Sequence, residues 1–153
     1  KDDFWDHDSL LSTNHFNLLE KPFSEEEIKV VVFGSYAEGA PGPDGFPFLF
    51  YQKYWDLIKH DLFALFRDWE AGELDLYRLN FSLLTLVPKE PNAVKLDRFR
   101  PLAMVNYSFK IFAKCATNRF GPVCNTLISP NQTAFLKGRF ILESIVAAHE
   151  VVH

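Results

Sequence analysis

Phe81-Ser-Leu-Leu-Thr-Leu-Val87, closed by Pro88, and Phe99-Arg-Pro-Leu-Ala-Met-Val105 decide the fold class of this chain. The first run is β-branched and apolar and stops at a proline, so it is predicted as a strand. The second lies across a polar turn of residues 89–98 and is its antiparallel partner. Downstream, Tyr107 to Phe120 reads as a helix burying Phe109, Phe112, Ala116 and Phe120, with Gly121-Pro122 set to kink or restart it. Ser129-Pro-Asn131 is a turn, and a closing helix carries Ile141, Ile145, Ala148 and Val152 on one face. That helix has no stop signal before His153, so the chain reads as a piece cut from something longer. Upstream, Ser24 and Glu27 form a capping box for a helix from Glu25 to Phe33 that buries Ile28, Val31 and Val32. A turn-rich loop spans Gly34 to Gly45. A helix then runs to about Ala71 with Tyr54, Ile58, Leu62, Leu65 and Trp69 in register, and Gly72 stops it. Residues 1–22 read as the tail of a preceding segment or a linker, and residues 23–153 as one α+β unit, helices first and the hairpin in the middle.

The 153 residues are 48% hydrophobic and 24% charged, a balance that excludes a disordered chain, a collagen-like repeat and a disulfide-stapled miniprotein. A chain of this length buries roughly 70% of its unfolded surface. No apolar run nears the ~20 residues of a membrane span, so no membrane partner is expected. Lys1 and the acidic residues after it form no signal peptide. Cys115 and Cys124 make no Cys-x-x-Cys pair, which fits a reducing intracellular compartment. The formal net charge is −4, but it is unevenly spread. Residues 1–80 hold 7 basic and 16 acidic side chains, and residues 81–153 hold 9 basic and 4 acidic. That asymmetry points either to a polyanion near the second half or to two solvated faces.

Four groups of residues carry candidate chemistry. His149-Glu150-Val-Val-His153 matches the His-Glu-x-x-His spacing that puts two imidazoles on one helix face around zinc, with the Glu as general base. Against a zinc site, the upstream histidines His7, His15 and His60 supply no third ligand at a fitting spacing, and an amphipathic helix with two polar-face histidines explains the match. Lys89 just after the first strand and Arg100 at the start of the second converge at one end of a ribbon. A point charge and a guanidinium fork together suit a triphosphate, whereas solvated turn charges are the plainer account. In Ala40-Pro-Gly-Pro-Asp-Gly-Phe46, Asp44 is an N-cap candidate before it is a catalytic carboxylate. Gln132-Thr-Ala-Phe-Leu-Lys-Gly-Arg139 sets a cation and a glycine just before a helix, geometry for a backbone phosphate or for a capping turn. Lys110 and Lys114 share a helix face that Arg119 does not.

In order, Ala40-Pro-Gly-Pro-Asp-Gly-Phe46, Thr85-Leu-Val-Pro-Lys89, Phe99-Arg-Pro-Leu102, Asn106 to Arg119 and Gln132 to Arg139 resemble the reverse transcriptases of LINE-type non-LTR retrotransposons. Tyr51-Gln-Lys-Tyr-Trp55 and Ile128-Ser-Pro-Asn-Gln132 resemble the plant members, and the likeness runs from Pro22 to His153. It implies a helical amino-terminal part, an antiparallel fingers hairpin, and helices leading into a truncated palm. It implies that Lys89 and Arg100 hold the triphosphate of an incoming dNTP. Gln132, Lys137, Gly138 and Arg139 would lie near the nucleic-acid channel, and Pro41, Gly42, Asp44 and Gly45 on the template side. The implied partners are an RNA template, a DNA primer, and the rest of the palm and thumb in the intact polyprotein. The implied setting is the nucleus and a cytoplasmic ribonucleoprotein.

In such enzymes paired carboxylates hold Mg²⁺, but the first palm motif and the Tyr/Phe-x-Asp-Asp turn that supply them are missing from these residues. Asp97 and Glu90 match no such ligand and sit where they weaken a triphosphate clamp. No catalytic residue is therefore expected in this chain, and it should not polymerise alone. The resemblance also accounts for a His-Glu-rich helix end at 149–153 without metal. Two other readings stand beside it: a catalytically dead interaction relic, and a zinc-hydrolase fragment built on His149, Glu150 and His153.

Overall fold

The computed structural model describes residues 11–129, 132, 136 and 138–152. It is α+β: the described residues form seven α-helices and a single antiparallel hairpin. The helices are α1 (Thr13–Glu20), α2 (Glu25–Phe33), α3 (Phe48–Lys53), α4 (Trp55–Glu70), α5 (Leu76–Leu79), α6 (Tyr107–Leu127) and α7 (Ile141–Val152). The strands are β1 (Ser82–Pro88) and β2 (Phe99–Val105). The chain divides into two compact units, residues 22–115 and residues 1–21 with 116–153, the boundary falling inside α6.

In the unit of residues 22–115, α2 forms for local reasons. Glu27 N–H donates to Ser24 Oγ at 3.3 Å, and Ser24 N–H donates to the Glu27 carboxylate at 2.9 Å. Glu25, Glu26 and Glu27 fill a first turn whose dipole favours negative charge. Ile28, Val31 and Val32 are buried, as their spacing predicts. Its C-terminal carbonyls are satisfied from outside the helix: Gln52 Nε2 donates to Val32 O at 2.9 Å and Ser35 O at 3.0 Å. Ser35 Oγ donates to Val31 O and accepts from Lys114 Nζ at 3.1 Å. Phe48, Tyr51, Trp55, Leu62 and Phe66 join α2 and the first half of α6 (Tyr107, Ile111, Phe112, Cys115) in one core. No disulfide joins Cys115 and Cys124.

Three boundaries differ from the sequence reading. The predicted single helix to Ala71 breaks at Tyr54, whose φ of −106° and ψ of 23° cap α3 and start α4. The break turns the buried stripe onto Trp55, Leu62 and Phe66, leaving Tyr54 and Trp69 more exposed. Residues 13–20, expected as tail, form α1, because Ser12 and His15 make a capping box with the imidazole as acceptor at 3.4 Å. Gly121-Pro122 neither ends nor restarts α6, which runs on to Leu127 with Pro122 inside it. Its buried positions are Tyr107, Ile111, Phe112, Cys115, Arg119 and Val123, while Phe120 is exposed.

Burial holds the phenol of Tyr51 above its ordinary value of 10.0, and the nearby Asp44 carboxylate adds to the rise, against hydrogen bonding with Ser108. Burial alone raises Tyr107. A phenol raised on folding stabilises the fold fully below the unfolded value, and that contribution is lost as pH rises through the folded value. Urea midpoints should therefore fall above about pH 10. The Tyr51→Phe and Tyr107→Phe variants should each show a shallower alkaline decline. An unchanged decline in both would refute the assignment.

Candidate functional site

The hairpin register pairs Val87 with Arg100 and Pro88 with Phe99. Lys89 N–H donates to Arg98 O at 2.8 Å, extending the ladder by one pair. Directly opposed residues share a face, and residues two apart along a strand share it too. Lys89, Arg98 and Arg100 therefore stand on one face at one end of the ribbon. Lys89 and Arg100 are diagonal neighbours, a relation that spans about 7–8 Å in such ladders. All three side chains are exposed.

Arg98 is the residue the sequence reading passed over; counting the turn from Val87 and Arg100 places it across from Lys89. Its guanidinium takes up both local carboxylates, Glu90 at 3.5 Å and Asp97 at 3.9 Å. Lys89 Nζ donates instead to the backbone carbonyl of Asp97 at 2.7 Å. Glu90 and Asp97 are thus drawn toward Arg98. Among the described residues no carboxylate forms an ion pair with Lys89 or Arg100.

At the other end of β2, the loop of Pro41 to Gly45 is held against the strand. A Cβ on Gly42 would lie 2.5 Å from both Asn106 N and Val105 C, so only glycine fits there. Asp44 N–H donates to Asn106 Oδ1 at 3.1 Å, and Gly45 N–H to Gly42 O at 3.0 Å. Gly45 has φ of 75°, which glycine adopts without penalty. Asp44 is not an N-cap. Its carboxylate accepts from Phe46 N–H at 3.1 Å, an Asx-turn, and the α3 cap position is Pro47. Pro41 and Gly45 are exposed at the surface of this loop.

In the unit of residues 1–21 and 116–153, Arg139 closes the turn after α6. Its guanidinium donates to Ile128 O at 3.0 Å, to Gln132 O at 2.7 Å and to Ser129 O. These bonds tie Arg139 to backbone carbonyls of the segment that follows α6. Gln132 and Gly138 are exposed, and Gly138 has φ of 83°. Lys137 lies outside the described residues. Arg119, buried off the Lys110–Lys114 face, donates to the Lys21 carbonyl at the end of α1. Lys110 Nζ lies 4.1 Å from the Tyr107 ring centroid.

His149 is exposed on α7, and His153 lies outside the described residues. Among the described residues no three His, Cys, Asp or Glu side chains converge on a position for a cation. No helix among the described residues is long and apolar enough to cross a membrane.

Comparison with known proteins finds similarity to a transposon protein. The chain is similar to the transposon TX1 uncharacterized 149 kDa protein of Xenopus laevis, at 26% identity over 153 residues. The match covers 99% of this chain and 12% of that protein, so the chain spans about an eighth of its relative's length. No protein-family model matches the chain.

Proposed function

We propose that the chain is an amino-terminal fragment of the reverse transcriptase domain of a LINE-type non-LTR retroelement, comprising its fingers and the start of its palm. The observation that carries this reading is the cationic end of the hairpin: Lys89 and Arg100 share a face, exposed, with the nearby acids drawn to Arg98. Similarity to a transposon protein along nearly the whole chain supports it. The hairpin end receives the triphosphate of a dNTP, and Arg98 keeps Glu90 and Asp97 from competing for its cations. The loop of Pro41, Gly42, Asp44 and Gly45 and the segment of Gln132, Lys137, Gly138 and Arg139 contact RNA template and DNA primer, with Arg139 shaping its own turn. Mg²⁺ would supply charge stabilisation in the larger enzyme, and no residue here is assigned to it. The fragment binds without polymerising, in the nucleus and cytoplasmic ribonucleoprotein of a plant-type element.

Replacing both Lys89 and Arg100 with Ala should lower affinity for a dNTP at least about 100-fold, since each hydrogen bond to a charged group is worth about 1.5–3 kcal/mol and every 1.4 kcal/mol is tenfold. Circular dichroism and melting should not change, because both side chains are exposed. Binding of a primer–template duplex should weaken linearly in log salt. Titration calorimetry with a dNTP checks the first, and unaltered affinity in the double variant refutes the clamp.

An interaction relic is the second reading. It is favoured by the apolar residues Ile141, Leu142, Ile145 and Val146 of α7, all more than half exposed.

A further inference from the structure

We propose that the outer edge of β1 is a dimerisation edge, on which a second copy of this chain adds its own β1 antiparallel to form a four-stranded sheet. Lys89 N–H bonds to Arg98 O, so the pair 89:98 is of the hydrogen-bonded kind. Alternation then makes 87:100, 85:102 and 83:104 bonded pairs. Residues 82:105, 84:103, 86:101 and 88:99 are the intervening pairs, whose backbone groups point away from the partner strand. The two prolines confirm this parity, since Pro88 and Pro101 both fall at positions that need no ladder N–H.

The same parity makes the two edges unequal. On β1 the outward N–H and C=O groups belong to Ser82, Leu84 and Leu86, with Pro88 at the very end offering only its carbonyl. On β2 they belong to Phe99, Pro101, Ala103 and Val105, but Phe99 N–H is taken by Leu96 O and Pro101 has no donor. Among the described residues no third strand covers either edge. Leu83, Leu84 and Leu86 are 54%, 72% and 49% exposed.

A second copy is the occupant that the β1 sequence itself specifies. Phe81 to Pro88 holds no charged side chain, so two such strands meet without repulsion. With Leu84 opposite its own counterpart, Ser82 faces Leu86, Leu83 faces Thr85 and Val87 faces Phe81. All three outward-facing residues then exchange backbone bonds, and Pro88 stays outside the pairing. Joining the two ribbons gives a four-stranded sheet, within the usual size of sheets in globular proteins. Because β2 is interrupted by Pro101, addition stops at two copies in the order β2-β1-β1-β2, a closed two-fold dimer instead of a fibre.

Sedimentation equilibrium of the 153-residue chain tests this. The expected result is a concentration-dependent dimer of twice 17.7 kDa. Leu84→Pro removes an outward donor at a position where this ladder tolerates proline, and should return the chain to monomer. Leu84→Lys sets two lysines face to face and should raise the dimer dissociation constant at least about tenfold at low salt, less at high salt. Ala103→Pro, the same change on the already interrupted edge, should leave the dimer intact. If Leu84→Pro loses its circular dichroism, Leu84→Lys decides. The proposal is overturned by a chain that stays monomeric at several hundred micromolar, by assembly beyond two copies, or by equal sensitivity to Ala103→Pro. A dimer that survives both Leu84 variants, held through another surface such as Ile141 and Ile145 of α7, overturns it as well.

Discussion

Phe66→Ala is expected to lower the unfolding free energy by about 3–5 kcal/mol, the largest single effect in this chain. Phe66 is 2% exposed at the centre of the unit of residues 22–115. Its ring sits 5.2 Å from Phe23, edge-on at 68°, and 5.2 Å from Phe112 at 46°. Trp69 meets Phe112 edge-on at 4.7 Å and 69° and approaches Phe23 at 6.0 Å. The cluster joins α4, α6 and the segment entering α2, so truncation leaves a cavity bounded by three elements that cannot all collapse into it. Against a total stability of about 5–15 kcal/mol for a domain, such a loss leaves much of the population unfolded at moderate temperature. Phe66→Leu should recover about half of it, since much of the volume remains. Leu57→Ala, at a position 75% exposed, should fall within about 0.5 kcal/mol of the parent. Urea unfolding followed by Trp fluorescence measures all three. A loss below about 1.5 kcal/mol for Phe66→Ala would show that the aromatic cluster is not the core of this unit.

The elements legible in the sequence were those whose causes are local. Ser24 and Glu27 lie within one turn of each other, and they set both the start of α2 and its buried face. The strands announce themselves through β-branched and apolar runs, and Pro88 ends the first. What stayed hidden depends on partners far along the chain. Arg119 is buried because its guanidinium reaches the Lys21 carbonyl, and no periodicity reports such a contact. Arg119 and Val123 take the buried positions in the second half of α6, and Phe120 is exposed although its helical spacing from Phe112 and Ala116 predicts a core position. His15 as the acceptor of a capping box departs from the usual Glu or Gln, so α1 carried no familiar start signal. At the hairpin, Lys89 and Arg100 stood out as cations beside strand ends. Arg98 emerges only when the turn is counted across the ladder, and its hold on Glu90 and Asp97 depends on how the turn folds.

Gly42→Ala is expected to cost about 2–4 kcal/mol, by overpacking together with a lost hydrogen bond. The added methyl would meet backbone on two sides, Asn106 N and Val105 C at 2.5 Å, and Asn106 Oδ1 at 2.6 Å. Backbone at the junction of β2 and α6 cannot swing aside as a side-chain tip can, so the loop must lift. Lifting it breaks the bond from Asp44 N–H to Asn106 Oδ1. Gly45→Ala serves as the contrast: open space surrounds that Cβ, and only the positive φ opposes it, at about 1–2 kcal/mol. Combining Gly42→Ala with Asn106→Ala should cost less than the sum, because both remove the same bond. The variant also separates structure from recognition. Asn106 lies six residues beyond Arg100, roughly 20 Å along an extended strand, so a lifted loop leaves the hairpin cations in place. Gly42→Ala should therefore keep its affinity for a dNTP while losing affinity for a primer–template duplex, measured below its own melting temperature. Equal loss of both ligands would mean that the loop acts only by holding the unit folded.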